Sequence, residues 1–352
     1  MQNALLRYTF AIRTPHCSPH SLCHCRHKEC GRLGDVIGKV PWSDLNVYVA
    51  GHNGLVGSAV VRALERQYVG GVVGWRSDQV DLTNRDEAFD AITAASPDVV
   101  IDAAARVGGI HANSTYPVEF LRENLLIQTN VMDAAHAVGV EHLLFLGSSC
   151  IYPRNSTQPI RESSLMTGPL EPTNQAYAMA KIAGIHYIEA YRRQYSKHWI
   201  SAMPTNLFGP NDNFDLQTSH VPAAFIRRFH EAKTSKATHV TMWGTGTPRR
   251  EFLHVDDLAD ACLTLLESYD SAETINIGSG SDISIAEFAA LVAKVVGYEG
   301  EILWDTSKPD GMPRKLLDVS RLNSLGWHPQ ISLERGLAST YRWYQENLPN
   351  HP

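Results

Sequence analysis

Four side chains mark a candidate reaction centre: Ser148, Cys150, Tyr177 and Lys181. The first two follow the apolar run Leu144-Phe145-Leu146, which reads as a buried strand breaking at Gly147 into a loop that carries hydroxyls and a thiol. Tyr177 and Lys181 stand four apart, so on a helix they share one face. A phenol beside a fixed ammonium has its charged form favoured, and its pKa is expected to fall. A Ser hydroxyl opposite can hold a carbonyl oxygen that gains or loses a proton. Together these groups suit hydride transfer at a C–OH/C=O centre. A core Tyr and a surface Lys would show the same spacing, so the surrounding elements must decide.

Those elements have a nucleotide-binding pattern. Asn46-Val47-Tyr48-Val49-Ala50 reads as a short buried strand, and Ser58 to Tyr68 as a helix. Between them lies Gly51-His52-Asn53-Gly54-Leu55-Val56-Gly57, a Gly-x-x-Gly-x-x-Gly. Gly51 permits the tight turn, Gly54 admits a pyrophosphate to the backbone, and Gly57 lets the helix pack close to the sheet. The helix N-terminus favours the anion. Val72 to Trp75 is the second strand, and its end bears on cofactor choice: Arg76 leans towards a 2′-phosphate, while Asp78 keeps a ribose 2′-hydroxyl open. Asp81 is a candidate for the adenine edge. A helix over Arg85 to Ala95, a strand over Asp98 to Asp102 ending in Ala103-Ala104-Ala105, and a long helix over Pro117 to Val138 follow. Strands over His142 to Gly147 and Ile200 to Pro204 complete the pattern. Alternating strands and helices predict an α/β fold with a Rossmann-like, doubly wound parallel sheet. Its site lies at the carboxyl ends of the strands, where Gly51, Ala103, Ser148 and Pro204 all fall.

Composition bounds the rest. The 352 residues are enough for two domains, and 43% are hydrophobic, so a sizeable core can form. A formal charge of -6 argues against nucleic acid or a membrane surface as partner. No apolar run approaches the roughly 20 residues of a membrane span. Cys17, Cys23, Cys25 and Cys30 crowd the start, leaving Cys150 and Cys262 in the body, as expected for a reduced, cytoplasmic protein. Residues 1–44 read as an extension, disordered or a targeting segment. A transit peptide fits their Arg-bearing, acid-poor start but is not favoured. Their Cys and His spacings form no paired metal grid, and no metal is expected.

The motifs resemble those of the extended short-chain dehydrogenase/reductases. The resemblance is sharpest, from about residue 45 to the C-terminus, with the branch that epimerises and reduces GDP-4-keto-6-deoxy-D-mannose. It is carried by Ala104-Ala105-Arg106-Val107-Gly108-Gly109-Ile110, Gly147-Ser148-Ser149-Cys150-Ile151-Tyr152-Pro153, Glu171-Pro172-Thr173-Asn174, Pro204-Thr205-Asn206-Leu207-Phe208-Gly209-Pro210, Arg249-Arg250-Glu251-Phe252-Leu253-His254 and Lys308-Pro309-Asp310-Gly311. The resemblance implies a homodimeric, NADPH-dependent enzyme that inverts C3 and C5 of the keto sugar and then reduces C4. It implies Tyr177 as proton donor, Lys181 as its partner and the holder of the nicotinamide ribose, and Ser148 on the keto oxygen. Cys150 would be the epimerisation base and His220 the acid.

The same resemblance implies NADP(H) on Gly51, Asn53, Gly54, Leu55, Val56, Gly57, Arg76, Asp81, Ala103, Ala104, Ala105, Tyr177, Lys181, Pro204, Asn206, Leu207 and His220. It implies the GDP-sugar on Val107, Gly108, Ser148, Ser149, Cys150, Asn206, Arg228, Trp243, Arg250 and Lys308. Trp243 can stack on guanine, and Arg250 can meet the diphosphate with two parallel bonds. Two positions depart from the family. Asn53 stands where Arg often meets the 2′-phosphate, and Trp75 where a base is often seen, so Arg76 must supply that charge.

The expected domains are 45–205 for the cofactor, with about 244–280 returning to it, and 206–352 as a smaller α/β substrate lobe. In that lobe Val221 to Lys233 and Ile285 to Val296 read as helices, and Asp256 or Asp257 as the N-cap of another. Two other functions fit less of the chain: a nucleotide-sugar epimerase that recycles its NAD, and a non-catalytic dinucleotide sensor, which would have no need of Tyr177 and Lys181.

Overall fold

A computed structural model describes residue 37 and residues 40–216, 218–308 and 310–347. The metal-ligand candidates and the targeting reading of the N-terminal extension lie outside these residues. The extension's last part does not: Trp42 is buried in the core that also holds Val47, Leu64 and Leu266, and bonds through its indole N–H to Glu267.

In chain order the first half contains β1 (Asn46–Ala50), α1 (Leu55–Arg66), β2 (Gly71–Val73), α2 (Arg85–Ala95), β3 (Val99–Asp102), α3 (Ile110–Thr115), α4 (Pro117–Ala137), β4 (His142–Leu146), α5 (Gln175–Tyr195) and β5 (His198–Pro204). The second half contains β6 (Asn206–Phe208), α6 (Val221–Thr234), β7 (His239–Trp243), β8 (Arg249–His254), α7 (Val255–Ser268), β9 (Ile275–Ile277), β10 (Asp282–Ser284), α8 (Ile285–Val296), β11 (Glu301–Asp305), β12 (Arg314–Lys315), α9 (Ser320–Ser324) and α10 (Leu333–Asn347).

The main sheet has six parallel strands in the order β2-β1-β3-β4-β5-β9. The order runs outward both ways from β1 and β3, which is the doubly wound arrangement expected from the alternating pattern. Both faces are covered, so the strands read as continuous apolar runs. One face, with Val47, Val49, Ile101, Leu144 and Leu146, packs against α1 and α7. The other, with Tyr48, Val100, Leu143 and Phe145, meets α2, α4 and α5. Gly184 of α5 lets that helix approach closely: an added Cβ there would lie 2.5 Å from the Phe145 ring.

A second sheet, β10-β8-β12 with β6 beside β8, and a parallel pair, β11-β7, belong to the later part of the chain. Their core is aromatic: Phe252 stacks on Phe288 at 4.2 Å, with Phe225, Phe229 and Tyr298 around them. Local sequence sets the helix ends. Ser284 and Glu287 form a reciprocal capping box on α8, and Gly297 ends it in the left-handed conformation. One cap differs from expectation. The N-cap of α7 is His254, whose Nδ1 accepts from the Asp256 N–H at 3.2 Å, because the helix already begins at Val255. Asp256 and Asp257 lie in its first turn and favour it through the helix dipole. Among the described residues no helix is long and apolar enough to cross a membrane.

Candidate active site

The glycine loop is shaped by close approaches. Gly51 has φ +75, and a Cβ there would come 2.9 Å from the Ala104 Cα. A Cβ on Gly57 would come 2.0 Å from the Gly51 carbonyl oxygen, so the helix can begin only where that side chain is absent. Gly54 is the N-cap of α1 and offers no side-chain bond to the first-turn amides. Those amides therefore face outward beside an exposed backbone, an arrangement that fits a pyrophosphate. Ala103, Ala104 and Ala105 continue this floor from the end of β3, each partly exposed. At the end of β2, Arg76 forms an ion pair with Asp78, both about 60% exposed. A pair this exposed contributes only about 0–1 kcal/mol, so the guanidinium remains available to an incoming phosphate. Asp81 accepts from the Thr83 N–H and hydroxyl at 2.8 and 2.7 Å, which orients a carboxylate otherwise open to solvent. These residues fit a phosphorylated dinucleotide.

At the end of β4 the chain turns through Gly147, and Ser148 caps a short 3-10 turn over 149–151 by accepting from the Cys150 N–H at 3.2 Å. Tyr177 and Lys181 are on α5 as expected, and the Tyr177 hydroxyl bonds to the Ser148 side chain. The expected fall in the Tyr177 pKa is not observed. Burial of the hydroxyl, and then the charge of Cys150, push it well above the ordinary phenol value, with the Ser148 bond opposing them. Lys181 exerts no such pull because its Nζ turns inward, donating to the Leu146 carbonyl at 2.9 Å and lying 4.7 Å from the Phe145 ring centre. Burial lowers its pKa to about 8, and Asp102 acts against that fall.

Cys150 is partly exposed and free, whereas Cys262 is buried in the core with its thiol pushed up to about 12. Two donors point at the Cys150 sulfur: Asn174 Nδ2 at 3.2 Å and Lys315 Nζ at 3.6 Å. His220 is the N-cap residue of α6. The residue is exposed overall, yet the imidazole sits against enough protein to be partly desolvated; its pKa is lowered, first by that desolvation and then by the charge of Lys315. One ammonium therefore acts on both residues. The loop that carries His220 is fixed to the Gly108-Gly109 turn by a bond from the Gly109 N–H to the Thr218 carbonyl, 2.9 Å.

Sequence reasoning missed Lys315 and Asn174 at this centre. Asn174 was legible, as the residue immediately before α5 and three before Tyr177; Lys315 lies 165 residues from Cys150 and had no local signal.

The remaining candidates spread over the later sheets. Asn206 donates to the Glu251 carbonyl at 2.8 Å, and Leu207 follows it in β6. Trp243 is 67% exposed at the end of β7, which rules out a core role, and Lys308 Nζ lies 5.8 Å from its ring centre. Arg250 Nη1 donates to the carbonyls of Arg249 and Met312 at 2.8 and 2.6 Å. Burial lowers its pKa and Asp310 opposes that. Arg228 makes no ion pair among the described residues, and Val107 is 59% exposed. Ser149 is buried and Gly108 packs on Phe120. No group of His, Cys, Asp and Glu suited to a metal occurs among the described residues.

A parallel sheet with this glycine loop and a Ser–Tyr–Lys centre defines a dinucleotide-dependent enzyme class. The chain belongs to the NAD dependent epimerase/dehydratase family, whose pattern matches residues 47–278. It is 54% identical to GDP-L-fucose synthase 1 of Arabidopsis thaliana, over 90% of this chain and 98% of that protein. It is 51% identical to the GDP-L-fucose synthase of Escherichia coli (strain K12), over 87% of this chain and 98% of that one. A solved GDP-L-fucose synthetase from Naegleria fowleri, bound to NADP, superposes with a TM-score of 0.80 at 27% identity, covering 86% of this chain and 94% of that one.

Proposed function

We propose that the protein converts GDP-4-keto-6-deoxy-D-mannose to GDP-L-fucose, inverting C3 and C5 and then reducing C4 with NADPH. The observation that carries this reading is the pairing of two centres: a Ser–Tyr–Lys group for reduction, and a Cys–His pair that shares one ammonium, Lys315. A simple dehydrogenase needs only the first. The relatives named above are GDP-L-fucose synthases over nearly their whole length.

Ser148 and Tyr177 hydrogen-bond the C4 keto oxygen, which makes the adjacent C–H groups at C3 and C5 acidic by stabilising the enolate. Cys150 removes these protons in turn. Lys315 and Asn174 face the sulfur, at 3.6 and 3.2 Å. His220 returns a proton on the opposite face, and between the two inversions Cys150 passes its proton to solvent while His220 takes one up. For the final step Tyr177 is held protonated by its surroundings and is a proton donor to the C4 oxygen. Lys181 offers an ammonium to the nicotinamide ribose. The glycine loop, Arg76, Asp81, Ala103 to Ala105 and the Pro204–Leu207 segment would hold NADPH, which would supply the hydride. Trp243, Arg228, Arg250 and Lys308 hold the guanine and diphosphate, with Val107, Gly108 and Ser149 beside the sugar.

The reading includes a homodimer, supported by exposed apolar side chains on α4 and α5: Val118, Leu121, Leu126 and Met179. It also includes a cytoplasmic location, in keeping with the free thiols Cys150 and Cys262. Sedimentation of the purified chain and imaging of a tagged full-length copy test these two points; a monomer or an organellar signal would contradict them. The function itself is tested by incubating the keto sugar nucleotide with NADPH and identifying the product by chromatography. Formation of a GDP-sugar without net oxidation of NADPH would overturn the reading.

A further inference from the structure

Asp102 is a buried carboxylate that the mechanism above does not use. It ends β3, has no exposed surface, and spends one oxygen on the Ala104 N–H at 3.3 Å. Its other oxygen, Oδ2, is buried without a hydrogen-bond partner. A lone buried carboxylate is costly, so it calls for a compensating charge.

The sheet register identifies that charge. Asp102 pairs with Phe145 of β4, and paired residues project to the same face of a sheet. That face is covered by α5, whose Lys181 Nζ rests 4.7 Å from the Phe145 ring centre. Asp102 and Lys181 therefore lie on the same face of the sheet, one beside Phe145 in the register and the other over its ring, and both are buried. The groups that meet them are uncharged: the Leu146 carbonyl from β4 accepts from Lys181, and Tyr48 of β1 lies near Asp102, its phenol neutral; Gln128 of α4 bonds to the carbonyl of Ala180, the residue before Lys181. Each of the two buried groups also acts on the other's titration, Lys181 opposing the rise at Asp102 and Asp102 opposing the fall at Lys181.

We propose that Asp102 is the positioning counter-charge that keeps the Lys181 ammonium protonated, and so able to hold the cofactor ribose, at neutral and mildly alkaline pH. This rests on the assignment of Lys181 given above. It adds a residue at the end of a different strand to the apparatus of the reduction step. Asp102 touches neither substrate nor cofactor in this role; it acts through Lys181.

The sign follows directly. A nearby anion favours the charged form of a lysine, so its removal lowers the pH at which the ammonium is lost. The test uses Asp102→Asn, which keeps the shape and the bond to Ala104, and Asp102→Leu, which removes all polarity. NADPH affinity is measured by nicotinamide fluorescence across the pH range, together with kcat/KM for NADPH oxidation. In the native protein both should fall as pH rises through about 8, where Lys181 loses its proton. In both variants the midpoint should move down by about one pH unit or more, while values well below it stay within about threefold of native. A merely structural role would depress both quantities at every pH or leave the midpoint in place, and either result overturns the proposal. Failure of both variants to fold would also count against it, because a counter-charge, unlike a packing element, is dispensable once Lys181 sheds its proton at high pH. The binding readout needs no turnover. A protein that binds NADPH with this pH dependence but does not reduce the keto sugar would refute the function and leave the Asp102 assignment standing.

Discussion

Replacing Lys315 by Met tests the link between Cys150 and His220. The substitution keeps the aliphatic stem and removes the charge. Lys315 Nζ lies 3.6 Å from the Cys150 sulfur. For unit charges at that distance the attraction is about 4–5 kcal/mol at an effective dielectric constant of about 20, and about 1 kcal/mol in bulk water. Lys315 is partly exposed, so the contribution lies between these limits. A value of about 2 kcal/mol corresponds to a roughly 30-fold loss in the rate of proton abstraction. His220 should respond in the opposite sense: with the neighbouring cation gone its pKa rises towards the ordinary imidazole value, although partial desolvation still holds it down. The assay is wash-in of solvent deuterium at C3 and C5 of the keto sugar, followed by mass spectrometry as a function of pH. Exchange should slow about 30-fold at neutral pH, the His220 limb should move to higher pH, and the melting temperature should hardly change. Unchanged exchange in Lys315→Met would refute the idea that one ammonium serves both residues.

Other substitutions separate the remaining parts of the account. Tyr177→Phe should abolish NADPH oxidation by removing the proton donor, while NADPH binding, read by fluorescence, stays within about threefold of native; surviving turnover would reassign the donor. Gly57→Ala would place a Cβ 2.0 Å from the Gly51 carbonyl, so the loop must shift, and NADPH affinity should fall at least tenfold by titration calorimetry. Native affinity in that variant would show that the loop does not hold the cofactor. Glu251→Ala should lower stability by about 2–4 kcal/mol in a denaturant melt, since it strips the Gly280 and Leu317 N–H groups of a buried acceptor lying 2.7 and 3.0 Å away. A change below about 1 kcal/mol would mean that water replaces the carboxylate.

What could be read from the sequence was local. The glycine loop, the strand that delivers Ser148 and the Tyr–Lys helix are each specified within a few residues, by spacing and by turn chemistry, and the structure places the loop after β1, Ser148 after β4 and Tyr177 and Lys181 on α5. The α8 capping box was equally local, although its pattern went unread. Long-range partners were not legible. Lys315 reaches Cys150 only because β12 pairs with β8 in the second sheet, and nothing about Arg314-Lys315 reports that pairing. Asp102 looked like the polar end of an apolar strand; its burial and its relation to Lys181 follow from the β3–β4 register. The pKa expected for Tyr177 was wrong for a related reason. Helical spacing brings Tyr177 and Lys181 onto one face, but the Leu146 carbonyl, supplied by another strand, decides where the ammonium points.

The most direct measurement is the stoichiometry of the whole reaction. GDP-4-keto-6-deoxy-D-mannose is incubated with the protein and NADPH in deuterated water, and the product is resolved by chromatography and mass spectrometry. The account predicts one NADPH oxidised per GDP-L-fucose formed, with solvent deuterium at both C3 and C5. A product that retains the starting configuration at those carbons, or a conversion that consumes no NADPH, would contradict it.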